Sequence, residues 1–321
     1  MLLMEKMNYL LPEESGEMTL SGITTLRKME QKLRNLFESQ NYQEVMPPNF
    51  EYVELYTGHD AGFEQEKMFQ FINHEGKSIA FRYDFTVPLA RTFALSELKE
   101  ARYSYFGKVF RKEKRHKGRR TESYQVGTEL LGLSEVTGDQ EILGLTFMTL
   151  EALTLKNTIV EIGSAAFYKR LCELSGGDAQ LFSELLEKKS LSGMKAFVDK
   201  HEMIGAPRDL LLALMTTTDL PTMKKLVLAT GDEKLSQALE MLEALNLPDK
   251  TAICQIHYDF AMVPAMGYYT GLMFQVYVEG VAQATISGGR YDKLLKQFGK
   301  TTGSIGFCVH MDNVVKGLNN D

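Results

Sequence analysis

The sequence predicts an α+β fold, a mainly antiparallel sheet flanked by helices and interrupted by a helical block. Three observations predict it. Alternating, β-rich segments cluster before residue 131 and return after residue 252, with one more at "NTIVEIGS". From about 165 to 250 the apolar spacing is helical almost throughout, with no strand signal of comparable strength. The 321 residues suffice to bury a sizeable core as one large domain or two, and β-rich halves on both sides of the block favour one.

Each element has a local reason. Ile23, Leu26, Met29, Leu33, Leu36 and Phe37 recur at steps of three and four, an amphipathic helix that ends near Gln40-Asn41. "YQEVMPPNFEY" follows as an extended segment, because a residue before proline is pushed out of helical geometry. "MFQFINHEGKSIAFRYD" reads as two strands about a turn at His74-Glu75-Gly76. "TVPLARTFALSEL" reads as a helix with Pro88 near its start, where a missing amide costs little. Strands at Tyr103–Arg111 and Glu122–Leu130 flank a basic loop, and a long helix covers about Gly138–Leu155. The helical block breaks at Gly176-Gly177, Gly205–Pro207 and Pro221. Strands return at Ala252–His257, Met273–Tyr277 and Gln283–Ser287, with helices at Tyr291–Phe298 and near the end.

Composition removes several classes. A net charge of −6 argues against a protein whose main partner is a nucleic-acid backbone. Cys172, Cys254 and Cys308 are odd in number and form no CxxC, which fits reduced thiols in a cytoplasmic protein. The start "MLLMEKMNYLLPEE" lacks the apolar core of a signal peptide, and no run approaches membrane-spanning length. P-loop, nucleophile-elbow and zincin patterns are missing. Cys254 and His257 have a C-x-x-H spacing without a second pair, so no metal is expected.

Four stretches carry chemistry. Arg111 and Glu113 lie two apart and share a strand face, as do Gln125 and Glu129. Such a face is expensive to bury empty, so it is a solvated outer face or it holds a polar ligand. The basic run up to Arg120 is a solvated loop, or one that meets phosphates or a partner. Tyr268-Tyr269-Thr270-Gly271 and Gly288-Gly289-Arg290-Tyr291-Asp292 are glycine-linked turns that end strands, or offer tyrosines to a small ligand.

Together these segments resemble the catalytic core of the histidyl-tRNA synthetases, class II aminoacyl-tRNA synthetases, across nearly the whole chain. "YQEVMPPNFEYVELY" is similar to the first class II motif, and "FRYDFT" to the Arg-Pro-Glu-x-Thr element. "GKVFRKEKRHKGRRTESYQVGTELLG" is similar to the second motif and "GSIGFCVHMD" to the third, while "YYTG" and "GGRYDKL" resemble two histidine-specific segments. The resemblance implies histidine binding by Asp84, Thr86, Arg111, Gln125, Glu129, Tyr268 and Tyr269. A carboxylate would face the imidazole, Arg111 the ligand's carboxylate, and the tyrosines the ring.

Three departures bear on catalysis. Pro264, Asn313 and Thr121 stand where the synthetase pattern has arginines. Adenylation stabilises developing negative charge with such cations, and one donor is often worth roughly 10²–10³ in rate. With the sequence ending at Asp321, just after the third-motif segment, no anticodon-binding domain is expected. Recognition kept and catalysis lost is similar to the ATP phosphoribosyltransferase regulatory subunits, the paralogues of the synthetases. That resemblance implies no catalytic residues and no cofactor. It also implies a dimer built through the first motif, a hetero-oligomer with the short-form catalytic subunit, and inhibition by histidine. The alternatives are an amino-acid-activating enzyme without anticodon recognition, and a free-standing sensor or tRNA-binding module.

Overall fold

The computed structural model describes residues 17–58, 63–112, 121–248 and 250–318. Glu113 and the basic run to Arg120 lie outside the described residues.

Helix α1 (Leu20–Ser39) begins where the Thr19 hydroxyl accepts the Gly22 amide at 3.1 Å. Its Leu26, Met29, Leu33 and Phe37 are buried, and Phe37 meets Phe106 and Phe307 at centroid distances of 6.2 and 6.1 Å. Strands β1 (Gln43–Glu44) and β2 (Phe50–Tyr52) follow, then α2 (Val53–Thr57), β3 (Gln70–Ile72), β4 (Ser78–Phe81) and α3 (Thr86–Ala94). The hairpin β5 (Ala101–Phe110) and β6 (Glu122–Leu131) leads to α4 (Glu135–Ala152) and β7 (Thr158–Ser164).

Six helices run consecutively from there: α5 (Ala165–Leu174), α6 (Ala179–Glu187), α7 (Leu191–Lys200), α8 (Ala206–Ala213), α9 (Leu220–Thr230) and α10 (Glu233–Ala244). The chain returns through β8 (Cys254–Tyr258), β9 (Leu272–Val278) and β10 (Ile286–Arg290) to α11 (Asp292–Gln297), β11 (Ser304–His310) and α12 (Met311–Leu318).

The large sheet has the order β1-β5-β6-β11-β10-β9-β7-β8. It is antiparallel except at its two ends, where β1/β5 and β7/β8 run parallel. A second sheet, β2-β4-β3, stands apart. The period of two along β6 sorts the core. Val126 and Leu130 pack with residues of α1 and α4, whereas Leu131 joins a second cluster with Tyr56, Phe85, Phe93 and Tyr291. Gln125 and Glu129 share the face of Leu131, and they are 4% and 2% exposed. The solvated-face reading of this pair is therefore excluded.

Several boundaries differ from the sequence reading. The extended segment after α1 is strand only at β1 and β2, and Val53–Thr57 turns helical. The helix at Thr86 stops at Ala94. Arg111 lies one residue past β5, so its strand facing does not apply. The strand expected at Gln283–Ser287 runs instead from Ile286 to Arg290, through a Gly-Gly pair read as a turn. These glycines are flat strand residues whose missing Cβ atoms admit neighbours. A Cβ on Gly289 would stand 2.9 Å from Leu272 O and from a Tyr269 ring carbon. Strand β11 has no counterpart among the elements expected from sequence, and it pairs with both β6 and β10.

Candidate functional site

All seven residues named from the sequence line one cavity of about 380 Å³. Strand β6 supplies Gln125 and Glu129, the segment between β4 and α3 supplies Asp84, and α3 supplies Thr86. Arg111 follows β5, and Tyr268 and Tyr269 precede β9.

Glu129 sits at the bottom. Its Oε1 accepts the Thr86 hydroxyl at 2.7 Å, and its Oε2 accepts the Tyr291 hydroxyl. Opposite it in register is Gly306 of β11, where any Cβ would overlap the carboxylate. Burial pushes the Glu129 carboxyl up to about 8; the Tyr291 and Thr86 bonds pull against this, and the nearby Asp84 adds to it. Asp84 is 3% exposed and accepts the Val87 amide at 3.2 Å and the Tyr268 hydroxyl at 3.3 Å. Burial raises it to about 6, opposed by the Arg111 charge and by these two bonds.

Arg111 is held from outside the cavity. Its Nε donates to Tyr83 O at 3.0 Å, and its guanidinium lies 4.8 Å from the Tyr83 ring centroid. The Gln125 side-chain amide makes no hydrogen bond to the described residues, although the residue is buried. Gln125 lines the cavity, so its amide is open to a ligand there. Tyr268 meets Tyr269 and Tyr291 edge-on, with centroids 5.4 and 5.8 Å apart.

Lining residues outside the seven named for histidine include Tyr291, Ser287 and His310. Tyr291 lies in the quoted "GGRYD", but only the pairing of β10 with β11 shows its hydroxyl on Glu129. Ser287 and His310 face each other across β10 and β11, Oγ to Nε2 at 2.9 Å. Burial, then the Arg111 charge, lowers His310 to about 4, so the imidazole is neutral. The alternation Gly306, Cys308, His310 carries the signal for His310 once β11 is recognised as a strand.

The expected departures fall in two places. Thr121 and Asn313 line the cavity, and Asn313 donates to Ala284 O at 2.9 Å. Pro264 lines an adjoining cavity of about 970 Å³ instead; Ala265 and Met266 are its neighbours on the first. The two cavities share a wall of Tyr268 and Tyr269. The arginine of "FRYDFT" is structural: Arg82 donates to Pro47 O, Pro48 O and Lys108 O. Among the described lining residues the permanent cations are Arg111 and Lys316. Two buried carboxylates held by neutral hydroxyls, with tyrosine rings beside them, suit a small ligand that brings N–H donors or positive charge.

Comparison with known proteins gives the family and the fold. The histidyl-tRNA synthetase family model matches residues 16–314. An ATP phosphoribosyltransferase regulatory subunit from Lactococcus lactis subsp. cremoris is 98% identical over 318 residues, 99% of this chain and 100% of the relative. One from Lactococcus lactis subsp. lactis is 50% identical, covering 98% of this chain and 97% of its own. A crystal structure from Bacillus halodurans, described as an ATP phosphoribosyltransferase regulatory subunit/histidyl-tRNA synthetase, superposes with a TM-score of 0.85 at 24% identity. It covers 97% of this chain and 83% of that one, and shares the fold. The chain belongs to the histidyl-tRNA synthetase family and, within it, to the ATP phosphoribosyltransferase regulatory subunits.

Proposed function

We propose that this chain is the non-catalytic regulatory subunit of an ATP phosphoribosyltransferase, that it supports a short-form catalytic subunit, and that it carries histidine feedback. Histidine occupies the cavity. Glu129 and the tyrosines take the imidazole, Asp84, Thr86 and Gln125 take the ammonium end, and Arg111 takes the carboxylate. The observation that carries this reading is the convergence of seven sequence-named residues on one cavity whose floor is the buried Glu129 carboxylate. The same lining holds Thr121 and Asn313 where the synthetase pattern has cations, which supports binding without adenylation. The name of the 98%-identical relative supports the catalytic partner.

In this reading residues 1–321 form one synthetase-like core with a helical insertion at about 165–250. The subunit acts in the cytoplasm as a dimer. No helix of the described residues is long and apolar enough to cross a membrane.

The test mixes the purified chain with a short-form catalytic subunit. The pair should co-elute and make phosphoribosyl-ATP much faster than the catalytic subunit alone. Histidine should slow the complex, and Glu129→Ala should blunt that inhibition while leaving activation largely intact. No amino acid should drive pyrophosphate exchange with ATP. Separate elution with an unchanged rate, or robust exchange, defeats the proposal.

A further inference from the structure

Arg290 is 1% exposed and lies between the Gly-Gly pair of β10 and Tyr291. Its Nε donates to Asp139 Oδ1 at 2.8 Å, its Nη1 to Asp292 Oδ1 at 3.0 Å, and its Nη2 to the Glu135 carbonyl at 2.9 Å. Three glycines make the slot it occupies. A Cβ on Gly138 would stand 3.0 Å from Nη2, one on Gly303 3.0 Å from Nη1, and one on Gly271 3.1 Å from Cδ. Asp292 Oδ1 also accepts the Ser304 amide at 2.6 Å, while the Tyr291 amide donates to Ser304 O at 2.8 Å.

Arg290 and Asp292 are thus bonded to each other across Tyr291, and both are anchored elsewhere. The backbone at Tyr291 has little freedom, and its hydroxyl lands on Glu129. A buried guanidinium is a poor device for stability alone, because an apolar side chain of similar size often does as well. It does fix direction.

We propose that Arg290 is a positioning residue of the cavity, bracketing Tyr291 so that the phenol is held on Glu129 and tying the cavity floor to the first turn of α4. The inference rests on reading the cavity as a histidine site. Loss of the Tyr291 bond takes a hydrogen bond from the Glu129 carboxyl that faces the ligand, so affinity should fall about tenfold or more. It also removes a contact that holds the Glu129 carboxyl down, so Glu129 should stay protonated to higher pH.

The experiment compares the full chain with Tyr291→Phe, Arg290→Lys, Asp292→Asn and the double variant Arg290→Lys/Tyr291→Phe. Calorimetry gives histidine affinity. Infrared spectra of the ligand-free chain give the protonated Glu129 band, assigned by its loss in Glu129→Gln. Each single variant should bind about tenfold more weakly, and the double variant no more weakly than Tyr291→Phe alone. The Glu129 band should persist to higher pH in all three single variants. Multiplying losses in the double variant, or an Arg290→Lys chain that melts earlier with an unmoved Glu129 titration, overturns the proposal. If Arg290→Lys does not fold, Asp292→Asn opens the bracket while keeping the Asp139 pair, and the same comparison is made with it. If the unmodified chain takes up no histidine, the site reading fails, and the infrared titration still decides the role of Arg290.

Discussion

Glu129 is the residue on which most of the site's behaviour depends. Its carboxyl is raised from an ordinary 4.5 to about 8, chiefly by burial. Between these values the folded chain binds a proton that the unfolded chain does not, so stability falls as pH rises through the window and levels above about 8. Asp84, raised to about 6, adds a smaller slope of the same sign at lower pH. Glu129→Gln removes the titrating group and keeps the shape. The ligand-free chain should lose melting temperature from pH 5 to pH 8, and Glu129→Gln should flatten most of that loss. A variant whose slope matches the parent's would mean that Glu129 is already ionised in the fold. Of these properties, sequence spacing gave the shared face of Gln125 and Glu129 and nothing about protonation. A pKa depends on what surrounds the group, and here the surroundings come from β11, α3 and the segment before α11.

At the scale of elements, the cavity exists because three adjacent strands carry glycine where they face it. Gly127 of β6 admits the Tyr105 ring, Gly306 of β11 admits the Glu129 carboxylate, and Gly289 of β10 admits Tyr269. Substitution in a packed strand forces neighbours to move, at a typical cost of about 1–3 kcal/mol. Gly306→Ala should therefore lower stability by that order and abolish histidine binding, because the flexible part that yields is Glu129 itself. Denaturant unfolding and calorimetry on this variant check both halves. Retained binding would show that the carboxylate does not have to hold its place. The Gly288-Gly289 pair of β10 reads as a turn from sequence alone, since Gly-Gly is a turn signal unless close-packed neighbours require it in a strand.

For the whole molecule, the small sheet presents an apolar surface next to the first-motif segment. Phe50, Phe71 and Phe81 are 52%, 39% and 37% exposed, and their rings form a chain at 6.0 and 5.5 Å spacing. A contiguous exposed aromatic patch marks an interaction surface, and twofold dimers are the commonest assemblies. The chain should sediment as a dimer at micromolar concentration, and Phe71→Glu should shift it to monomer without much change in melting temperature. An unchanged sedimentation coefficient in the variant would remove this face from the interface.

The class of fold, most of its strands and helices, and a set of residues expected to share one site are legible in the sequence, whereas β11 and the short helix α2 are not. Local periodicity dictates elements, and six quoted segments in register dictate their arrangement. How those residues meet depends on the tertiary structure. It placed the Tyr291 hydroxyl on Glu129, put Pro264 in the neighbouring cavity, and assigned Arg82 and Arg290 to the scaffold. Those outcomes depend on strand register and on burial, which are fixed by contacts between residues far apart in the chain.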